Sequence, residues 1–361
     1  MTSRQQHAVQ TIVFVVAGIL SAAFVVSLAR GQAPPVPPPL GLKVTDASIS
    51  LGRMLFFDGR LSVDGTVSCA SCHEPAAGWA DPRPVSLGVV NPRTGRPGIG
   101  TRNAPTILNA VYSPFMFWDG RAVGQAQQAL LPLLNQDEMA NRSERQVLDR
   151  LRGIPGYQAA FLRAYGPPTS GQGVIDALRL AHAIASFEST IVSFNAPIDD
   201  RLAGDLEALS PEAEAGFGLF NSTGCTACHK PPIYSDFLFH NNGAEFAARQ
   251  PGERFDLGRW DVLPDGAKTA AMVRAFKTPT LREIARTAPY NHAGTWADLA
   301  TAVHHYATGG ARSDGKRDRF IDPRVGGIRL SPAQEDLLVR FLAEAFASPD
   351  YPTVPAPELP R

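Results

Sequence analysis

Apolar residues recur at helical spacing through much of the chain, three or four positions apart. Near the C terminus, Ser331 and Gln334 form a capping-box pattern ahead of another such run. No run alternates apolar and polar residues over the length that a half-buried strand needs. The pattern therefore predicts an all-α fold with long connecting loops. The helical runs are Val147, Leu148 and Leu151; Tyr157, Phe161 and Leu162; Val174, Leu178, Ala181 and Ala185; and Leu337, Leu338, Phe341, Leu342 and Phe346.

The N-terminal segment has a different pattern. A short polar start with Arg4 precedes an apolar run from Thr11 to Leu28 that ends in small residues. This predicts a secretory signal peptide or an uncleaved N-terminal membrane anchor over residues 1–31. The proline-rich residues 32–44 predict an extended tether. Under either interpretation the rest of the chain is exported.

Length and charge narrow the class of protein. A chain of 361 residues predicts two domains, which we place at 45–198 and 199–350, followed by a tail at 351–361. The boundary lies in a polar, proline-bearing break. Lysine plus arginine equals aspartate plus glutamate, 34 against 34, so nothing indicates a nucleic-acid partner.

All four cysteines fall into two Cys-x-x-Cys-His units. Two thiols at this spacing can bond to the vinyl groups of one haem, and the adjacent histidine is placed to ligate the iron. A single zinc site, a thioredoxin-like pair and two disulfides are the alternatives, but none requires a histidine after each pair. The sequence therefore predicts two haem c groups. The residues are Cys69, Cys72 and His73, and Cys225, Cys228 and His229.

A short repeat supports two related halves. The pattern Gly-x-x-Leu-Phe precedes both haem motifs, at Gly52–Phe56 and at Gly216–Phe220. In each half an amphipathic helix would lead into the turn that carries the cysteines. The prediction is two cytochrome c-like domains, each with one covalently attached haem.

From about Leu51 to Phe346 the chain resembles the bacterial di-haem cytochrome c peroxidase and MauG superfamily. Each motif is short, but their order and spacing around two haem sites are specific. They are Leu55-Phe-Phe-Asp58, Ser68-Cys-x-x-Cys-His73, Gly78-Trp-Ala-Asp81, Arg102-Asn-Ala-Pro-Thr106, Phe117-Trp-Asp-Gly-Arg121, Gln128-Ala129, Glu138-Met139, Phe276-Lys-Thr-Pro-Thr-Leu-Arg282 and Ala288-Pro-Tyr-x-His292.

The resemblance implies roles for individual residues. The first haem, with His73 as its proximal ligand, is the one that binds peroxide. Glu138 and Gln128 match the distal pair, in which the carboxylate moves a proton between the peroxide oxygens. Trp118 matches the aromatic residue between the haems, as an electron relay, a core tryptophan, or both.

Further matches concern the region near the second haem. Asn103, Thr287 and Pro289 match positions whose carbonyl oxygens bind a calcium ion between the domains. Arg282 matches a position near the second haem and is expected to pair with a haem propionate. For His292 we expect a structural hydrogen bond rather than a part in catalysis.

The chain departs from the peroxidases at two places. Many of them carry a histidine that caps the first iron, but here no histidine follows His73 until His182, so we expect an open iron. Where the peroxidases place a methionine on the second iron, this chain has Tyr306, the choice that resembles MauG. The alternative is that Tyr306 only packs on its helix, with Met272 or His305 as the ligand.

The resemblance leaves three functions to compare. The first is reduction of hydrogen peroxide to water, with electrons from a small periplasmic cytochrome c or cupredoxin. The second is a MauG-like oxidase that removes electrons from tryptophan or tyrosine of a protein substrate through a high-valent state of both haems. The third is a non-catalytic electron carrier. Export and resemblance together predict a periplasmic protein, and homodimers are common in the family.

Overall fold

The computed structural model describes residues 34, 36–37, 39–91, 94–168, 173–249 and 252–361. These residues are mostly helical, as the periodicity predicts, with long irregular connections. The predicted signal or anchor at 1–31 lies outside the described residues. Among the residues that the structure describes, no helix is both long enough and apolar enough to cross a membrane.

Twelve α-helices are found in the described part of the chain, joined by several short 3₁₀ turns. They are α1 Asp46–Phe57, α2 Gly124–Leu134, α3 Glu144–Arg152, α4 Pro155–Tyr165, α5 Ala177–Glu188, α6 Pro197–Ala203, α7 Pro211–Ser222, α8 Ala244–Ala248, α9 Arg259–Val262, α10 Leu299–Ala307, α11 Pro323–Gly326 and α12 Pro332–Ala345.

Helix α1 begins the first hydrophobic cluster, which is built around the buried side chains of Leu55, Phe56 and Trp79. Thr45 and Ser48 form a reciprocal capping box at its start. The helix packs closely on α5 at Gly52, where an added Cβ would lie 1.8 Å from the carbonyl oxygen of Ala183. Only glycine permits this approach, which buries Phe56 in the first cluster.

The second cluster repeats this construction with α7 and α12. An added Cβ at Gly216 would lie 2.2 Å from the carbonyl oxygen of Leu337. The predicted capping box at Ser331 and Gln334 is present at the start of α12. The glycine of the Gly-x-x-Leu-Phe repeat thus has one physical role in both halves: it lets the helix ahead of the cysteine turn touch a partner helix.

The predicted helical fold is confirmed as the main architecture, but the part of the chain that the structure describes also contains short strands. They form three antiparallel two-stranded sheets, and each strand is two to four residues long. Alternation of apolar and polar residues cannot reveal so short a strand. The pairs are β1 Leu87–Val90 with β2 Pro97–Ile99, β3 Phe115–Met116 with β4 Ala122–Val123, and β5 Phe239–His240 with β6 Phe276–Lys277.

The C-terminal tail returns to the first half of the chain. The indole Nε1 of Trp79 donates to the carbonyl oxygen of Pro352 over 2.7 Å. The Tyr351 hydroxyl donates to the carbonyl oxygen of Pro75 over 2.5 Å, and Val354 packs on the first cluster. The tail therefore covers the first cluster although it follows the second along the chain.

Candidate active site

Each Cys-x-x-Cys-His unit forms a tight turn. Cys69 and Cys225 begin 3₁₀ turns, and in both the histidine N–H donates to the carbonyl oxygen of the first cysteine over 2.9 Å. The Nδ1 of His73 lies 3.3 Å from the carbonyl oxygen of Trp79. The Nδ1 of His229 lies 2.9 Å from that of Tyr234. These contacts orient each ring and leave Nε2 as the nitrogen available to a metal.

The chemistry of these turns fits haem better than the alternatives. The four cysteines form no disulfide. The two pairs line different cavities, so they cannot build one zinc site. Burial raises the pKa of Cys69 and lowers the pKa values of His73 and His229, so both imidazoles are neutral, as iron ligation requires.

The first cavity has a volume of about 380 Å³ and is lined by Cys69, Cys72 and His73. Gln128 on α2 and Glu138 in the loop after that helix also line it. The Glu138 Oε1 accepts a hydrogen bond from Asn135 over 2.8 Å, and burial raises the pKa of its carboxyl. The structure thus brings the predicted proton donor and the predicted amide to the cavity of the first haem motif.

A second acid in the first cavity was missed by the sequence analysis. Glu188, at the end of α5, lines the cavity and is only 4% exposed. Burial raises its pKa to about 8. A lone acid at the end of a mostly apolar helix is the sequence signal that could have indicated it.

The second cavity has a volume of about 230 Å³ and is lined by Cys225, Cys228, His229 and Tyr306. Burial raises the pKa of Tyr306 to about 12. Asn242, a residue without a predicted role, donates a hydrogen bond to the Tyr306 hydroxyl oxygen over 2.9 Å. Such a donor favours negative charge on that oxygen.

Neither alternative to Tyr306 reaches the second cavity. The Nε2 of His305 lies 2.8 Å from the carbonyl oxygen of Asn242, and its ring packs against Trp296. Met272 ends a 3₁₀ turn and is absent from the described lining of the cavity. Of the three candidates, Tyr306 is therefore the one that lines the same cavity as His229.

The two cavities share one wall. Trp118, Asn103 and Lys277 line both of them. The Trp118 indole Nε1 donates to the carbonyl oxygen of Asn103 over 2.9 Å. Thr287 and Pro289 line the second cavity beside this wall, so the three predicted calcium positions lie in one region.

Arg282, for which the resemblance implies a haem propionate, is held by groups of the protein itself. Its side chain is fully buried, lines neither cavity, and is held by the carboxylate of Asp199 and the carbonyl oxygen of Pro232. A fully buried guanidinium group needs a carboxylate that neutralises its charge, and Asp199 provides one. His292, by contrast, makes a structural contact: its Nε2 lies 2.9 Å from a carboxylate oxygen of Glu245.

The helical fold and the two Cys-x-x-Cys-His turns, each facing its own cavity, define a c-type cytochrome. Comparison with known proteins narrows this class. A model of the family described as "Di-haem cytochrome c peroxidase" matches residues 46–207. The chain belongs to the di-haem cytochrome c peroxidase and MauG family, and it is an oxidoreductase of the peroxidase type whose cofactor is haem.

Similarity to curated relatives extends over most of the chain. It is 35% identical over 323 residues to the methylamine utilization protein MauG of Methylorubrum extorquens, covering 89% of this chain and 84% of that protein. It is 36% identical over 256 residues to cytochrome c551 peroxidase of Nitrosomonas europaea, covering 70% of each. Relatives named as peroxidases and as MauG therefore both match.

Solved structures agree with this assignment. A MauG-like protein associated with microbial copper homeostasis superposes with a TM-score of 0.72 at 27% identity, covering 89% of this chain and 97% of the other. The di-haem peroxidase BthA from Burkholderia thailandensis gives a TM-score of 0.71 at 25% identity, covering 88% and 91%. The fold is that of the family.

Proposed function

We propose that this protein reduces hydrogen peroxide to water in the periplasm, with electrons from a small redox protein such as a cytochrome c or a cupredoxin. Each peroxide takes two electrons and two protons and gives two waters. The observation that carries the proposal is the first cavity, in which Glu138 and Gln128 lie with His73. An electron carrier would need no partly buried acid in the cavity of its haem motif.

Two haem c groups account for the two cysteine turns. The first would be attached through Cys69 and Cys72 with His73 on its iron, and the second through Cys225 and Cys228 with His229. These groups supply the redox chemistry, and the protein positions them and controls access. The separate cavities and the neutral, oriented imidazoles support this assignment.

In and beside the first cavity, side chains of the protein would transfer protons, bind the peroxide and relay electrons. Because burial raises the pKa of Glu138, its carboxyl can hold a proton and release it again. The amide of Gln128 can donate to a bound oxygen. Trp118 lies in the wall between the cavities, where an aromatic ring would relay electrons from the second haem.

At the second cavity, His229 and Tyr306 would hold the iron of the second haem, with Asn242 supporting negative charge on the Tyr306 oxygen. A calcium ion held by the carbonyl oxygens of Asn103, Thr287 and Pro289 would fix the geometry between the halves. Carbonyl oxygens are suitable calcium ligands and require no acidic cluster.

A MauG-like oxidase acting on a protein substrate is the second candidate. Two observations favour it: Tyr306 faces the second cavity, and no histidine other than His73 lines the described part of the first cavity. An oxygen ligand stabilises higher oxidation states of iron, and an iron without a cap reacts without prior reduction.

One experiment separates the candidates. One equivalent of hydrogen peroxide is added to the fully oxidised protein, the spectrum is followed, and reduced cytochrome c is then added. A spectral change that is reversed when reduced cytochrome c is added supports the peroxidase. A persistent spectral change at both haems that reduced cytochrome c does not reverse supports the oxidase. No reaction with peroxide, before or after reduction of the protein, contradicts both and leaves the electron carrier.

A further inference from the structure

Lys277 lies in the wall that the two cavities share. Strand β6 positions it, and its backbone N–H donates to the carbonyl oxygen of Trp118 over 2.7 Å. Its ammonium Nζ donates to the hydroxyl oxygen of Ser113 over 3.1 Å. The lysine is therefore held beside the tryptophan, at a place from which its amine can serve either cavity.

The Lys277 ammonium lacks the ion-pair partner that the neighbouring arginines have. Every arginine that lines the described walls of the cavities forms an ion pair with a carboxylate. Among the described residues, no carboxylate lies within ion-pair distance of the Lys277 amine. The paired cations are Arg102 with Asp119 and Asp256, Arg121 with Asp119, and Arg324 with Asp322.

An enclosed ammonium without a counter-ion is costly. Desolvation lowers the pKa of Lys277 to about 8, and no opposing charge offsets it. The hydroxyl of Ser113 satisfies one donor but cannot neutralise the charge. An anion inside a cavity would stabilise the charged amine. Each haem carries two propionate carboxylates, which have the required charge and hydrogen-bonding groups.

We infer that the ammonium of Lys277 binds a haem propionate at the wall shared by the two cavities and raises the reduction potential of that haem. The inference rests on the proposed attachment of two haems. A nearby positive charge favours the reduced form, which carries one positive charge fewer at the iron. Lys277 would thus make a contact of the kind that the resemblance implies for Arg282.

The test is a spectroelectrochemical titration of the full-length, haem-loaded protein and its Lys277→Met variant. Methionine keeps an unbranched side chain of similar size and removes the charge. The variant should shift the reduction equilibrium of the contacted haem about tenfold toward the oxidised form, a change of about 59 mV for one electron. Electron paramagnetic resonance assigns each step to the first or second haem through its axial ligands.

Two matched variants make the result specific. Lys277→Arg keeps the charge and should keep most of the potential. Lys268→Met removes a lysine that lines neither cavity and pairs with Asp265, so it should leave both potentials unchanged. A shift in one haem identifies its propionate as the partner, and a shift in both indicates a bridge. Unchanged potentials in Lys277→Met with both haems attached overturn the inference and leave the proposed peroxidase intact.

If Lys277→Met fails to fold with its haems, a crystal structure of the haem-loaded natural protein decides the matter. The inference requires the Lys277 Nζ within about 3.2 Å of a propionate oxygen. An amine directed away from all four propionates overturns it.

Discussion

The indole Nε1 of Trp118 donates a hydrogen bond to the backbone carbonyl oxygen of Asn103, over 2.9 Å. Both residues line both cavities, so this bond fixes an aromatic ring in the wall between them. The ring cannot turn away without leaving a buried carbonyl group with one partner fewer. The finding gives the proposed electron relay a defined geometry, because the indole is held at its polar end.

Trp118→Phe should slow electron transfer between the haems while both haems stay attached. Phenylalanine keeps an aromatic ring but loses the N–H donor, and the lost hydrogen bond to the Asn103 carbonyl oxygen should cost about 0.5–1.5 kcal/mol of stability. Stopped-flow reduction by a small donor, followed by peroxide, measures the transfer rate. An unchanged transfer rate would mean that Trp118 only packs in the wall between the cavities.

Glu138→Gln should lower peroxide turnover roughly 100- to 10,000-fold, the usual contribution of a positioned acid or base. Haem content should be unchanged, because Glu138 does not attach the haem. Glu144→Gln, an exposed change at the start of α3, is the matched control and should leave turnover near that of the natural protein. Full activity in Glu138→Gln would remove the proposed proton-transfer role.

Glu188 should make stability depend on pH. Burial raises its pKa to about 8 from an ordinary value of 4.5, so between these values the folded state binds a proton that the unfolded chain has released. Stability should therefore fall as pH rises through this window. Glu188→Gln mimics the protonated acid and should therefore weaken the dependence of stability on pH. Each unit of pKa shift corresponds to about 1.4 kcal/mol in the free energy of unfolding. Thermal unfolding at a series of pH values tests this, with exposed Glu212→Gln as the control. Equal slopes in the natural protein and Glu188→Gln would contradict it.

Tyr351 should hold the C-terminal tail on the first half of the protein. Tyr351→Phe removes the hydrogen bond to the carbonyl oxygen of Pro75 and should cost about 0.5–1.5 kcal/mol. Tyr351→Ala should cost more, because its contacts with the first cluster are lost as well. Denaturant unfolding monitored at the haem absorption band measures both. Identical stability of the three proteins would mean that the tail contributes nothing.

The sequence could predict what short-range patterns encode. The Cys-x-x-Cys-His spacing predicts two turns whose histidines face cavities, and the structure has them. The recurring Gly-x-x-Leu-Phe pattern predicts a helix ahead of each turn, and α1 and α7 are those helices. Their close approach to a partner helix at Gly52 and Gly216 is seen only in the structure. Spacing within a few residues determines the cysteine turns and the helices ahead of them, so both could be predicted from the sequence alone.

Contacts between distant segments could not be predicted in this way. Arg282 was placed near a propionate by resemblance, but only the fold shows that Asp199, far away in the chain, takes its charge. Glu188 and Lys277 acquire their unusual environments from burial at a wall built by several elements. The return of the tail to Trp79 is likewise a tertiary contact without a local signal.

The most direct test of the central claim is the stoichiometry of turnover. Purified haem-loaded protein is mixed with hydrogen peroxide and an excess of reduced small cytochrome c, and the cytochrome oxidised is counted against the peroxide consumed. A peroxidase should turn over steadily with two cytochromes oxidised for each peroxide, and Glu138→Gln should lose that turnover. Consumption of peroxide without oxidation of the donor, or no consumption at all, would contradict it.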